Sequence, residues 1–251
     1  MCIISDKVNN ISSTKIFTIP SKNGKRQMTI YSNTVSTPES NVMCLPVPNP
    51  RTIRFENVPS TIFNQCHKSF NINKSICNDL FSTFYNSSYN AIIVRSINDI
   101  NNQNGFILTD KVVDFLKKNY SNFGFILCKL KKGNATYKPL AYSHDIQNSI
   151  FCPTKHYYTS IREEMSFDYV SIQEKKATRA IDDWDHEIYS VATPLWAHES
   201  NKVQLYHNKI KWYDMPTDFY LDPLIIIRCY EKYGYHPNID IEMPYQLSLI
   251  Y

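Results

Sequence analysis

Two apolar, β-branched runs, Lys15-Ile16-Phe17-Thr18-Ile19 and Gln27-Met28-Thr29-Ile30-Tyr31, lie either side of Lys22-Asn23-Gly24-Lys25. Asn-Gly between strand-like runs is a strong short-range signal for a β-hairpin, because the tight turn needs positive φ at its central positions. An isolated hairpin is marginal in water, so a chain that starts this way must cover it with more sheet or with helices. Asn41 to Val47 reads as a third extended segment. Pro46, Pro48 and Pro50 force an extended path and forbid a central strand, since proline has no N–H to give to a ladder. Thr52 to Phe55 is expected to resume pairing.

Helical periodicity appears next. Ile62, Phe63, Cys66 and Phe70 recur at helical spacing behind Ser60, a reasonable N-cap, and Ile76, Cys77, Leu80, Phe81 and Phe84 form a second stripe after Asn73. Ala91 to Val94 reads as a buried strand. A helix is expected from Thr109 or Asp110, with Val112, Val113, Leu116 and Tyr120 on one face. Phe123 to Lys131 is the clearest strand, and its alternation of apolar residues with Lys129 and Lys131 suggests one wet face. Leu140 to Ser143, Ser149 to Cys152 and Phe167 to Ile172 continue as strands, and their short separations predict an antiparallel meander. Ala177, Ala180, Ile181, Trp184 and Ile188 allow a helix with an acidic outer face, and Leu224 to Tyr230 suits a strand or a buried helix. Strand runs and separate helices without βαβ alternation predict an α+β fold. The expected form is a largely antiparallel sheet carrying three to five helices, in one domain over residues 1–251.

Composition bounds the chemistry. With 43% hydrophobic residues the chain can build a sizeable core, and no linker or repeat divides it. Five glycines, none closely paired, leave no phosphate-binding loop and no dinucleotide fingerprint. No Gly-x-Ser-x-Gly elbow is present either. The seven cysteines are scattered singly through apolar segments, with no Cys-x-x-Cys pair, and read as free thiols in a reducing compartment. The first residues lack the apolar stretch of a signal peptide, and the run Pro223 to Ile227 is far shorter than the roughly 20 residues of a membrane span. A soluble protein of the cytoplasm, or of a virus particle, is expected.

Asn41 to Pro48 with Ile53-Arg54-Phe55, and the stretch from Phe123-Gly124-Phe125 through Cys128-Lys129-Leu130-Lys131, Pro139-Leu140-Ala141, Phe151-Cys152-Pro153-Thr154-Lys155-His156 and Phe167-Asp168-Tyr169, carry a resemblance. With the Met-Cys start they resemble a family of bacterial proteins of similar length that has no established activity. The composition, rich in Lys, Asn, Ile and Tyr, is similar to that of genes in giant amoeba-infecting viruses or their mobile elements. The resemblance implies a shared single-domain architecture and transfers no catalytic residue.

Four constellations could carry chemistry. Removal of Met1 would expose Cys2, whose own α-amine could activate its thiol, as in N-terminal-nucleophile amidohydrolases; the Arg, Asp and Asn partners of those enzymes are not matched here. Cys152 and His156 have a spacing that offers two metal ligands without a second pair. Asp182 and His186 could share a helix face, which is also a short set, so no metal and no cofactor is expected. Lys129, Lys131, Lys132 and Lys138, with Tyr157 and Tyr158, could form a basic, ring-bearing surface for single-stranded nucleic acid or for a protein partner. The net charge of +4 does not choose between these partners. The leading expectation is a binding or interaction protein, virus-associated, without catalysis. The alternatives are a Cys2 amidohydrolase and a weakly basic nucleic-acid binder.

Overall fold

The chain opens with strands β1 (Ile3–Val8), β2 (Asn10–Pro20), β3 (Arg26–Thr37) and β4 (Asn41–Val47). β2 and β3 are the expected hairpin, paired from Asn10↔Ser36 to Pro20↔Gln27, with Gly24 at φ 66° in the turn. β5 (Arg54–Glu56), helix α1 (Ile62–Ser69), β6 (Asn90–Val94), helix α2 (Asp110–Tyr120), β7 (Gly124–Leu130), β8 (Gly133–Thr136) and β9 (Leu140–Asp145) follow. Then come β10 (Ser149–Cys152), β11 (Tyr157–Ser160), β12 (His186–Ser190), β13 (Arg228–Glu231) and β14 (Ile241–Pro244). This computed structural model describes residues 3–69, 85–102, 105–146, 149–160, 186–190, 211, 214–219, 228–231 and 240–244.

The strands build two sheets and a short ribbon. The first sheet has the order β11-β1-β4-β7-β6, the second β13-β12-β2-β3-β9-β5 with β8 also on β3, and β10 pairs β14. All pairings are antiparallel except β1 with β11 and β12 with β2. Successive side chains on a strand point to opposite faces, and three cores follow from that rule. Met43, Leu45, Ile126 and Cys128 of the first sheet meet Ile16, Tyr31 and Tyr142 of the second in an inner core. On the far side of the second sheet, Phe17, Ile19, Met28 and Ile30 pack on Ile62, Phe63 and Cys66 of α1. On the far side of the first, Val42, Cys44, Phe125 and Leu127 pack on Val112, Phe115, Leu116 and Tyr120 of α2. The described layers therefore run helix, sheet, sheet, helix.

Sheet-rich α+β is what these residues form, with several differences from the sequence reading. Two α-helices are present among the described residues, where three to five were expected. The stripe from Ile76 to Phe84 lies outside the described residues, as do Phe167 to Ile172 and most of the Ala177–Ile188 segment. The end of that last segment is a strand: His186–Ser190 runs parallel to β2, because a place between β2 and β13 satisfies its backbone on both sides. His186 is therefore not on a helix face with Asp182. Of the other ambiguous segment, Leu224 to Tyr230, residues 224–227 lie outside the described residues, and its end belongs to the strand Arg228–Glu231.

The meander is also corrected. β7 belongs to the first sheet, β8 and β9 to the second, and β10 to the ribbon, so the connections from β7 to β8 and from β9 to β10 cross between sheets. β7 lies between β4 and β6 and is covered on both faces, so its wet face is confined to its end at Lys129. β4 is central despite Pro46. Only its Met43 and Cys44 have described partners on β1, Ile4 and Ile3, so the missing N–H of Pro46 falls beyond the described ladder. Burial on both faces also explains why the run Asn41 to Val47 shows no alternation.

Candidate functional site

The outer face of the first sheet is covered along most of its length by α2 and by Ile97, Ile100, Phe106 and Leu108. That cover ends where β7 reaches Lys129, which stands directly between Val42 on β4 and Asn90 on β6. Lys131 follows two residues on, a spacing that returns to the same face of an extended chain. The uncovered floor opens into a groove of about 680 Å³, walled by Ser5 and Asp6 of β1 and by the loop from Gly105 to Thr109. That volume lies within the range of small-molecule sites, about 300–1,000 Å³.

Both walls are anchored. Thr109 donates its backbone N–H to Ser5 Oγ at 2.8 Å, and its hydroxyl donates to the Ser5 carbonyl at 2.9 Å. The Thr109 side chain, at the N-cap position of α2, is thus spent on β1 and makes no capping bond. Asn41 ties β4 to β1: its Oδ1 accepts from the Asp6 N–H at 3.1 Å, and its Nδ2 donates to the Lys7 carbonyl at 3.2 Å. Asp6 Oδ1 in turn accepts the Lys7 N–H at 2.7 Å. These bonds make the groove a feature of the folded backbone.

Charge in the groove is unbalanced. Lys129 Nζ sits 4.8 Å from the centroid of the Phe106 ring, a cation–π contact. Among the described residues neither Lys129 nor Lys131 has a carboxylate within salt-bridge distance. Asp6 is the one carboxylate in the lining, so two cations face one anion. Gly105 makes the Lys129 position possible. It has φ 73°, and a Cβ there would lie 2.5 Å from Lys129 Nζ. Next to it Ile107 is 68% exposed, the most open large hydrophobic side chain among the described residues.

The structure divides the basic and aromatic residues singled out in the sequence. Lys129 and Lys131 share the groove. Lys132 is exposed and paired with Glu39 at 2.6 Å, and Lys138 is exposed beyond β8, its backbone N–H on the Ser87 carbonyl at 2.9 Å. Tyr157 stacks on Phe115 with centroids 4.5 Å apart and packs on the α2 core, while Tyr158 packs on the inner core. The two rings belong to opposite faces of β11 and are not brought together with the lysines on one surface. Cys2 lies outside the described residues. Cys152 is buried in the inner core, where burial pushes its thiol far up, and His156 is 3% exposed. Cys44, Cys66 and Cys128 are likewise buried.

A second polar cluster is closed on itself. Arg26 binds Asp145 at 2.9 Å and Ser143 Oγ at 2.7 Å, Ser143 Oγ donates to Glu56, and Arg54 pairs with Glu56 and Asp218. Two guanidinium groups meet three carboxylates, which leaves no cation for a ligand, and Ser143 is fully buried. Asp6, Asn41, Gly105 and Ile107 were invisible as site residues because they come together only through pairings 35 to 104 residues apart. The chain matches no protein-family model, no curated protein and no solved structure, so the chemistry of the groove itself has to suggest a role.

Proposed function

We propose that the protein acts by binding, and that the groove between the Gly105–Thr109 loop and the end of β7 seats its ligand. The supporting observation is an anchored cavity of about 680 Å³. It holds the exposed Ile107 beside two lysines that have no carboxylate partner among the described residues. Filling the groove tests this. N-phenyl-1-naphthylamine, a neutral fluorescent probe, is expected to bind the native protein. Ser88→Trp, at an exposed position in the lining, is expected to weaken it by about tenfold or more, with an unchanged melting temperature. Equal affinity for the native and Ser88→Trp proteins would remove the groove as the site.

Single-stranded nucleic acid is the second reading, favoured by the exposure of Lys131, Lys132 and Lys138 around β8. It requires affinity for an oligonucleotide that falls steeply as salt is raised, by a slope that Lys131→Gln reduces. Salt-independent or absent binding ends it.

A further inference from the structure

We infer that the ligand of the groove is an amphipathic anion: a small molecule with one carboxylate, sulfonate or phosphate group on an apolar body. This rests on the groove being the binding site and adds the chemistry of what binds there. Lys129 and Lys131 lie on one face roughly 7 Å apart along the strand, close enough for one anionic group to reach both ammonium groups. Neither is neutralised by a described carboxylate, whereas Lys132 next to them is held by Glu39. A cation left without a counter-charge inside a concavity attracts anions more strongly than one on an open surface, because low-dielectric walls focus its field. Asp6 opposes this across the groove, but one of its oxygens is already engaged by the Lys7 N–H, and the cations still outnumber it.

The second half of the ligand follows from Ile107. That side chain stands 68% exposed at the groove wall. Covering such a side chain removes apolar surface from water, so an apolar body in contact with Ile107 would supply binding energy that the lysines cannot. A highly charged polyanion without an apolar part would leave that side chain in water. A neutral apolar molecule would leave the lysines unused.

The test pairs two probes of nearly the same shape, 8-anilino-1-naphthalenesulfonate and neutral N-phenyl-1-naphthylamine, titrated by fluorescence. The native protein is expected to bind the sulfonate about tenfold more tightly. The double variant Lys129→Gln/Lys131→Gln is expected to bring that ratio close to one while affinity for the neutral probe stays unchanged, and Lys129→Arg is expected to preserve the ratio. A native ratio near one, or a ratio indifferent to the lysine substitutions, overturns the anionic assignment. Ile107→Ser separates the two claims: it is expected to weaken both probes. If it moves neither, the groove is not the site and the underlying reading fails with it.

Discussion

Asp240→Ala is expected to lower the stability of the fold by about 3 kcal/mol, since each hydrogen bond to a charged acceptor is worth about 1.5–3 kcal/mol and orphaned donors add to the cost. Asp240 lies just before β14 and accepts from three groups: the Tyr120 hydroxyl at the end of α2, and the backbone N–H groups of Thr154 and Lys155 at 2.8 and 2.9 Å. Burial pushes its carboxyl pKa upward, and the three donors together with the nearby Lys155 oppose that rise. Lys155 also donates to Asn119 Oδ1 at 2.7 Å and lies over the Phe115 ring. One carboxylate thus fastens the β10–β14 ribbon to the helix layer. Asp240→Asn keeps an oxygen for the two backbone donors and is expected to lose only about 1 kcal/mol. Denaturant midpoints of the two variants check this. An alanine loss no larger than the asparagine loss would show that the contacts carry little of the stability.

Acid is expected to destabilise the protein through His144. The ring is 1% exposed on the inner side of β9, and its Nδ1 lies 2.9 Å from the Asp145 carbonyl. A carbonyl can only accept, so the neutral ring carries its proton on Nδ1. Nε2 then points into the core without a partner among the described residues. Burial, reinforced by the Arg26 charge, brings the His144 pKa from 6.5 down to about 4. Above pH 6.5 both folded and unfolded states are neutral at this ring, and nothing changes. Between 6.5 and 4 the unfolded chain takes up the proton and the folded one does not, so stability falls as pH falls. The loss approaches about 3 kcal/mol below about pH 4, because each tenfold drop in proton affinity is worth about 1.36 kcal/mol. His144→Asn keeps a donor for the Asp145 carbonyl and cannot titrate. Its stability is expected to be flatter than that of the native protein across that window. Parallel pH profiles for the two proteins would contradict the assignment.

Local features of this fold were readable from the chain, and pairings between distant segments were not. The hairpin around Asn23-Gly24 is legible because turn chemistry and both strands lie within one short stretch. α2 is legible because its apolar stripe repeats at about 3.6 residues over its whole length. The order of the sheets is not. β7 reads as a strand with a wet face, and only its insertion between β4 and β6 shows that it is central. Pro46 argues correctly that its own residue cannot donate, but how far β1 runs alongside it is a non-local fact. The same limit applies to the groove. Lys129 and Lys131 announce a basic strand end, yet the Gly105–Thr109 loop that faces them reaches its place through Ser5, 104 residues from Thr109 in sequence. Tyr157 and Tyr158 look like surface rings by composition, and only the fold shows that they pack against two different cores.

Amide hydrogen exchange, followed with and without saturating 8-anilino-1-naphthalenesulfonate, tests the location of the binding site most directly. A ligand held between the loop and the end of β7 is expected to slow exchange at residues 105–109 and 129–131 while leaving α1 and the second sheet unchanged. Protection confined to the inner core or to the α1 face, with those two segments unaffected, would contradict it.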